Sequence, residues 1–249
     1  MLNSLPHHRN SDSLWPELKE AVHYNPRQLI VLDDDPTGCQ TVYNVNVLLD
    51  HSVDAIREQL ESESKLFYII TNTRAMPEAE ACSFTREVVD NIAVAMYGLS
   101  YDKLRPLQLI SRGDSTLRGH YPAEVDAIVA VNPFPSDGTI LVPAFFDGGR
   151  VTVNDIHYLL EGDRLTPCGE TPFAADPHFG YKSSDLKQWV REKGVDKEIV
   201  CISIQDIREG GPERILQILE DAPHDVVIIV NGKPFVFDLL IFGQFAISL

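Results

Sequence analysis

Three consecutive carboxylates, Asp33, Asp34 and Asp35, stand where the apolar run of residues 30–32 ends. Like charges placed side by side repel one another, and each carboxylate resists removal from water. An ordinary turn after a buried strand does not need three of them. The run therefore predicts a functional site at the end of a strand.

Two further polar clusters follow apolar runs, one at residues 71–74 and one at residues 111–120. In the second cluster, Arg112 and Arg118 flank Asp114, and a pair of guanidinium groups grips a planar carboxylate well. The glycines and small hydroxyl residues between them let the backbone approach a polyol closely. The cluster predicts a pocket for a small hydroxylated anion, with Asp114 orienting the two arginines.

Alternating strand and helix patterns predict an α/β fold with a mostly parallel sheet and helices on both faces. The predicted strands cover residues 28–34, 45–49, 66–73, 106–111, 139–145, 198–204 and 225–231. The predicted helices cover residues 13–22, 52–60, 76–99, 121–131, 183–194 and 211–222. Ligands of such sheets bind beyond the carboxyl ends of the strands, so the three polar clusters converge if their strands are neighbours.

The pattern divides the chain into a polar lead-in over residues 1–26, a main domain over 27–230 and an apolar tail over 231–249. Within the main domain, residues 148–182 are dense in Gly, Pro, Asp and Thr and interrupt the alternation. They predict a long loop or a small β-hairpin insertion, and loops of this length are commonly functional. The tail is too short to span a bilayer.

Charge and cysteine content exclude several classes of function. A net charge of -16 and a pI of about 4.8 argue against a nucleic-acid partner, which requires a basic face. The four cysteines are widely spaced, which argues against a zinc site and a disulfide framework. No signal-peptide core is present at the N-terminus. We therefore expect a cytoplasmic protein with no membrane partner and no metal-ligating residues of its own.

One alternative comes from the spacing of Asp33, Asp35 and Thr37, which resembles the D-x-D-x-T signature of haloacid-dehalogenase-type phosphatases. In that interpretation Asp33 is the nucleophile, Asp35 is the acid and base, and Mg²⁺ offsets their charge. No lysine followed by a paired-acid strand end completes the signature. The interpretation also leaves residues 115–120 unexplained.

A more specific resemblance rests on four segments, DDDPTG, TNTRAMPEAEA, SRGDSTLRGHYPAEVDA and LVPAFFDGGRVTVNDIHYLLEGDRLTP. Their order and approximate spacing resemble the N-terminal domain of the four-carbon acid sugar kinase family, from residue 28 to about residue 230. The DSTLRG string is the most specific element. Arg112 stands where the family pattern has lysine, which keeps the charge and changes the geometry.

The resemblance implies an enzyme that uses ATP and Mg²⁺ to phosphorylate the terminal hydroxyl of a sugar acid such as threonate, erythronate or 3-oxo-tetronate. It implies catalytic roles for Asp33 and Asp34, with Asp34 favoured as the base. The implied substrate-binding residues are Thr37, Gly38, Thr73, Arg74, Arg112, Asp114, Ser115 and Arg118. We add Asp35, which stands where the family pattern has leucine, and Arg150, which we expect to reach over the site from the insertion.

The resemblance also implies that the nucleotide binds to a C-terminal domain, which this sequence does not show. No glycine-rich phosphate loop is present, and the pattern of the family is lost after Ile229. We therefore expect the chain to bind a sugar acid and to phosphorylate it poorly, if at all, unless a nucleotide-binding domain is supplied as a partner. A non-catalytic binding module is the remaining alternative.

Overall fold

The computed structural model describes residues 5–7, 11–133 and 136–232. Its strands are β1 Gln28–Asp33, β2 Asn46–Leu48, β3 Leu66–Ile70, β4 Leu107–Arg112, β5 Gly138–Leu141, β6 Arg150–Val153, β7 Ile156–Glu161, β8 Arg164–Pro167, β9 Ile199–Ile202 and β10 Val226–Val230. Its α-helices are α1 Ser11–Tyr24, α2 Val53–Glu61, α3 Glu78–Tyr97, α4 Ala123–Val131, α5 Leu186–Glu192 and α6 Gly211–Asp221.

The chain divides into two compact units. The first unit comprises residues 26–114 together with the described part of 119–135. The second comprises Ser115–Arg118 and the described parts of 1–25 and 136–232. The predicted segment boundaries stay a prediction, and most of the predicted tail lies outside the described residues.

The first unit is built on a parallel four-stranded sheet with the order β2-β3-β1-β4. Strand β1 is buried along almost its whole length, as expected for a central strand of a parallel sheet. Its core side chains, such as Ile30, pack with Phe67 of β3 and with Val88 and Ile92 of α3. The buried positions of α3 recur every three or four residues, which explains why the sequence predicted this helix.

The second unit contains a parallel sheet with the order β5-β10-β9 and an antiparallel sheet with the order β6-β7-β8. The antiparallel sheet occupies the predicted insertion. Its β6–β7 connection has Asn154 and Asp155 at φ values of 51° and 63°, which suits a two-residue hairpin turn. Asp155 is held there by Asn231 and Lys187, whose side-chain nitrogens lie 2.7 and 2.8 Å from its carboxylate oxygens.

The structure confirms the predicted α/β class, the mostly parallel strand pairing, the flanking helices and the hairpin insertion. The parallel strands are divided between two sheets, one in each unit. Within the part of the chain that the structure describes, no helix combines the length and the apolar character needed to cross a membrane.

Candidate functional site

The three strands that precede the polar clusters are neighbours in the sheet of the first unit. Strand β1 lies between β3 and β4, and Asp33 is in register with Ile70 and Arg112. The backbone N–H of Asp34 donates to the carbonyl of Arg112 (3.2 Å), and that of Thr71 donates to the carbonyl of Asp33 (2.9 Å). The residues that follow the three strands therefore meet at one edge of this sheet.

At this edge, the Arg74 guanidinium binds two of the three carboxylates. Its Nε donates to Asp34 Oδ2 (3.0 Å), its Nη2 donates to Asp34 Oδ1, and its Nη1 donates to Asp35 Oδ2 (2.7 Å). Bidentate pairing of this kind fixes both distance and orientation. Burial lowers the pKa of Arg74, but the hydrogen bond to Asp34 and the charges of Asp34 and Asp114 raise it overall.

Asp34 is buried, with 5% of its surface exposed. Burial raises its pKa to about 6, against the opposing effect of its hydrogen bond to Arg74. The nearby charges of Glu124 and Asp33 also raise it. Asp34 consequently changes protonation state close to neutral pH, which is the range in which a general acid or base is useful.

Asp33 is fully buried and has a different environment. Its Oδ1 accepts from the backbone N–H of Asp35 (3.2 Å) and from Arg112 Nη1 (3.3 Å). Its Oδ2 is also buried and has no hydrogen-bond partner within the described ranges. Burial raises the pKa of Asp33, while Arg112 lowers it. The Asp33 carboxylate is thus an internal anchor for Arg112.

Gly38 covers the Asp33 carboxylate. A Cβ atom placed on Gly38 would overlap both carboxylate oxygens of Asp33 and Nη1 of Arg112. Glycine is therefore the residue that lets this loop close over the buried acid. Gly38 is one of the predicted ligand-binding residues, and in the structure it lies against the side chains of Asp33 and Arg112.

Asp35 stabilises the turn that follows β1. Its Oδ1 accepts from the backbone N–H of Thr37 (2.8 Å) and from the Thr37 hydroxyl (2.7 Å), as in an Asx turn. Burial raises the pKa of Asp35, but the two hydrogen bonds from Thr37 and the charge of Arg74 lower it overall. The three aspartates accordingly have three environments within one short segment.

Residues outside the predicted set support the site. His120 is buried, and its Nε2 lies 3.2 Å from the carbonyl of Thr73 and 3.0 Å from that of Met76, so it ties down the turn that carries Arg74. Gly119 has φ +134°, and a Cβ there would lie 3.3 Å from Asp34 Oδ2. Both follow directly after the STLR string, which is the signal that could have indicated them.

Arg118 and Arg150 are described in the second unit, where their guanidinium groups lie 5.0 and 5.9 Å from the ring centroid of Phe173. Arg118 Nε donates to Thr116 Oγ1 (3.1 Å), and its Nη1 lies 3.7 Å from Asp176 Oδ2. Two cations over one aromatic ring concentrate positive charge. The structure thus places the predicted residues in two groups, with Ser115, Arg118 and Arg150 in the second unit and the others in the first.

This fold and these clusters agree with the comparisons with known proteins. A model of the family described as "Sugar-binding N-terminal domain" matches residues 29–238. The chain therefore belongs to the family of sugar-binding N-terminal domains. This membership confirms the resemblance that the four sequence segments show. No curated protein matched the chain.

Two solved structures share the fold. A domain of unknown function (DUF1537) from Bordetella bronchiseptica, solved as a domain-swapped dimer with bound citrate, has 21% identity and a TM-score of 0.60, with 88% of this chain and 50% of that chain covered. A Haemophilus influenzae protein of the same DUF1537 family has 14% identity and a TM-score of 0.55, with 88% and 55% covered. The chain thus spans about half the length of these proteins.

We predict that Gly38→Ala lowers the free energy of unfolding by about 1–3 kcal/mol, because the added methyl group forces the buried Asp33 carboxylate out of place. Gly113→Ala is the matched control, since its Cβ would meet Asp34 Oδ2 at an ordinary 3.9 Å. Urea unfolding measures both variants. Equal stability of the two would contradict the proposed packing of Gly38 on Asp33.

The raised pKa of Asp34 predicts a pH-dependent stability. The folded state holds the Asp34 proton more tightly than the unfolded state does. The resulting contribution to the free energy of unfolding is complete below pH 3.8 and is lost as pH rises through about 6. Relative to Asp34→Asn, the unmodified chain should lose about 3 kcal/mol of unfolding free energy between pH 3.8 and pH 7. Denaturant unfolding of both proteins at several pH values tests this. A difference in unfolding free energy between the unmodified chain and Asp34→Asn that stays constant or rises with pH would contradict the prediction.

Proposed function

We propose that the chain is the sugar-acid-binding part of an ATP-dependent kinase that phosphorylates the terminal hydroxyl of a four-carbon acid sugar of the threonate, erythronate or 3-oxo-tetronate type. The family membership supports the sugar-binding part of this proposal. The citrate bound to the Bordetella bronchiseptica protein is itself a hydroxylated carboxylate, which supports the same class of ligand. A cytoplasmic location is part of the proposal.

The observation that carries the proposal is the Asp34–Arg74 pair at the carboxyl edge of the first sheet. Asp34 has a pKa of about 6 and is therefore largely ionised at neutral pH, as a base that accepts the proton of an attacking hydroxyl must be. Arg74 holds this carboxylate in one orientation through two hydrogen bonds. In the proposal, Asp34 is the base, and Asp33 acts through Arg112 because its own carboxylate is covered by Gly38.

Arg112 is the proposed contact for the substrate carboxylate in the first unit. The Arg112 side chain is 33% exposed. Its Nη1 lies 3.3 Å from Asp33 Oδ1, which is farther than the Arg74 nitrogens lie from Asp34 and Asp35. Thr37 and Asp114 are proposed to contact the substrate hydroxyls, whereas Thr73 is fully buried and its hydroxyl lies 3.1 Å from that of Thr71. We separately propose that three residues of the second unit take part in binding the sugar acid, namely Ser115, Arg118 and Arg150.

The carboxylates of the described residues do not fit Mg²⁺ by themselves. Among the described residues, no group of three or more His, Cys, Asp or Glu side chains is arranged to hold a metal ion. The carboxylates of residues 33–35 are instead engaged by Arg74 and Arg112. We therefore propose that ATP and Mg²⁺ bind to a nucleotide-binding domain of the kinase.

The phosphatase alternative is less well supported by the geometry. Its nucleophile would be Asp33, whose Oδ2 is buried and whose carboxylate lies against Gly38. Its acid and base would be Asp35, whose pKa is raised by burial but lowered overall by the hydrogen bonds from Thr37 and the charge of Arg74. A carboxyl group with a lowered pKa is a poor general acid at neutral pH.

Calorimetric titration tests the binding part of the proposal. Threonate or erythronate should bind the chain, and Arg112→Ala should weaken the binding by about 10- to 100-fold, because a hydrogen-bonded charge is removed. Arg105→Ala is the matched control, since Arg105 lies before β4 and pairs at 3.9 Å with the exposed Glu63. Equal affinities in the two variants would remove Arg112 from the site.

Phosphoryl transfer is tested by supplying a nucleotide-binding domain of this kinase family to the chain. ATP consumption should then depend on the sugar acid, and Asp34→Asn should reduce it at least 100-fold, as expected when a general base is removed. Retained threonate affinity in Asp34→Asn serves as the control for an intact site. Binding without any ATP consumption would favour the non-catalytic module, and Asp33-dependent hydrolysis of p-nitrophenyl phosphate would favour the phosphatase.

A further inference from the structure

The segment Ser115–Arg118 belongs to the second unit, although the residues on either side of it belong to the first. It contains the non-glycine residue Leu117 at φ 67°, a conformation that costs energy unless other contacts fix it. Thr116 and Leu117 are both buried. The segment is therefore held by specific contacts rather than by its own backbone preference.

His157 supplies the first of these contacts. It is fully buried on β7 opposite Thr152 of β6. Its Nε2 lies 2.7 Å from the carbonyl oxygen of Ser115, and its Nδ1 lies 2.9 Å from Thr152 Oγ1. A carbonyl only accepts, so Nε2 carries the proton, and a neutral ring then accepts from the Thr152 hydroxyl at Nδ1. The Thr152–His157 pair thus presents one oriented N–H to the backbone of Ser115.

Tyr181 supplies the second contact, from the end of the insertion. Its side chain is buried, and its hydroxyl donates to the carbonyl of Thr116 over 2.7 Å. Thr116 in turn accepts from Arg118 Nε through its own hydroxyl (3.1 Å). Thr116 therefore links Tyr181 to the guanidinium of Arg118, since it accepts from Tyr181 at its backbone carbonyl and from Arg118 at its hydroxyl.

We propose that His157 and Tyr181 are positioning residues that fix the backbone of Ser115 and Thr116 and thereby set the position at which Arg118 meets the sugar acid. This inference rests on the proposed function, in which Arg118 takes part in binding. It gives the β-hairpin insertion a defined task, since β6, β7 and the segment that ends at Tyr181 together form the support for one arginine.

The test measures threonate affinity in Tyr181→Phe, which removes a single hydroxyl and leaves the ring in place. The dissociation constant should rise about three- to tenfold, as expected when one hydrogen bond is lost. Tyr158→Phe is the matched control, because the hydroxyl of Tyr158 makes no hydrogen bond among the described residues and the affinity should stay unchanged. His157→Leu should weaken threonate binding. His157→Gln keeps a side-chain N–H near the position of Nε2 and should therefore retain most of the affinity.

A double-mutant cycle separates positioning from a general effect on the fold. In an Arg118→Lys background, which lacks the Nε bond to Thr116, Tyr181→Phe should change the affinity less than twofold. An equal loss in both backgrounds would overturn the inference. Affinities of Tyr181→Phe and His157→Leu that match the unmodified chain would also overturn it.

Failure of the inference and failure of the proposed function are distinguishable. If Arg118→Ala weakens threonate binding and Tyr181→Phe does not, only the inference fails. If Arg118→Ala has no effect, the binding role of Arg118 fails and the inference fails with it. If the unmodified chain does not bind threonate, the proposed function fails, and amide hydrogen exchange of residues 115–118 decides whether Tyr181→Phe loosens the segment.

Discussion

The site depends on how three adjacent carboxylates are stabilised at the end of a buried strand. Burial makes each charge costly, and adjacency adds repulsion. The chain meets this constraint with arginines from the two neighbouring strand ends, because Arg74 follows β3 and Arg112 ends β4. The parallel order of the sheet brings these two cations to the acids, so the strand topology determines the electrostatics of the site.

The solution gives the three aspartates unequal roles. Asp33 faces inward beneath Gly38, Asp34 shares a bidentate bond with Arg74, and Asp35 closes the following turn through Thr37. Asp33 ends β1, whereas Asp34 and Asp35 lie in the turn that follows, and this change of backbone conformation directs the three carboxylates to different partners. A cluster that looks uniform in the sequence therefore contains an anchor, a titrating group and a turn residue.

Sequence patterns were sufficient for the fold class and for the convergence of the first two polar clusters with residues 111–114 of the third, because apolar periodicity and strand ends are local signals, but not for the assignment of residues 115–118 to the second unit. They did not separate Asp33 from Asp34, since burial of individual oxygens depends on Gly38 and on Arg112, which is far away along the chain. They also did not indicate Tyr181 as a supporting residue. Its hydroxyl contacts a backbone carbonyl, and such a contact leaves no sequence pattern.

The raised pKa of Asp34 has a consequence for ligand binding itself. In the proposed function a sugar acid binds beside Asp34 and adds a further negative charge to this buried region, which favours the protonated form of Asp34 still further. Complex formation then takes up a fraction of a proton from the solvent. The heat of association consequently contains the ionisation enthalpy of the buffer, and two buffers at the same pH report different values for the same complex.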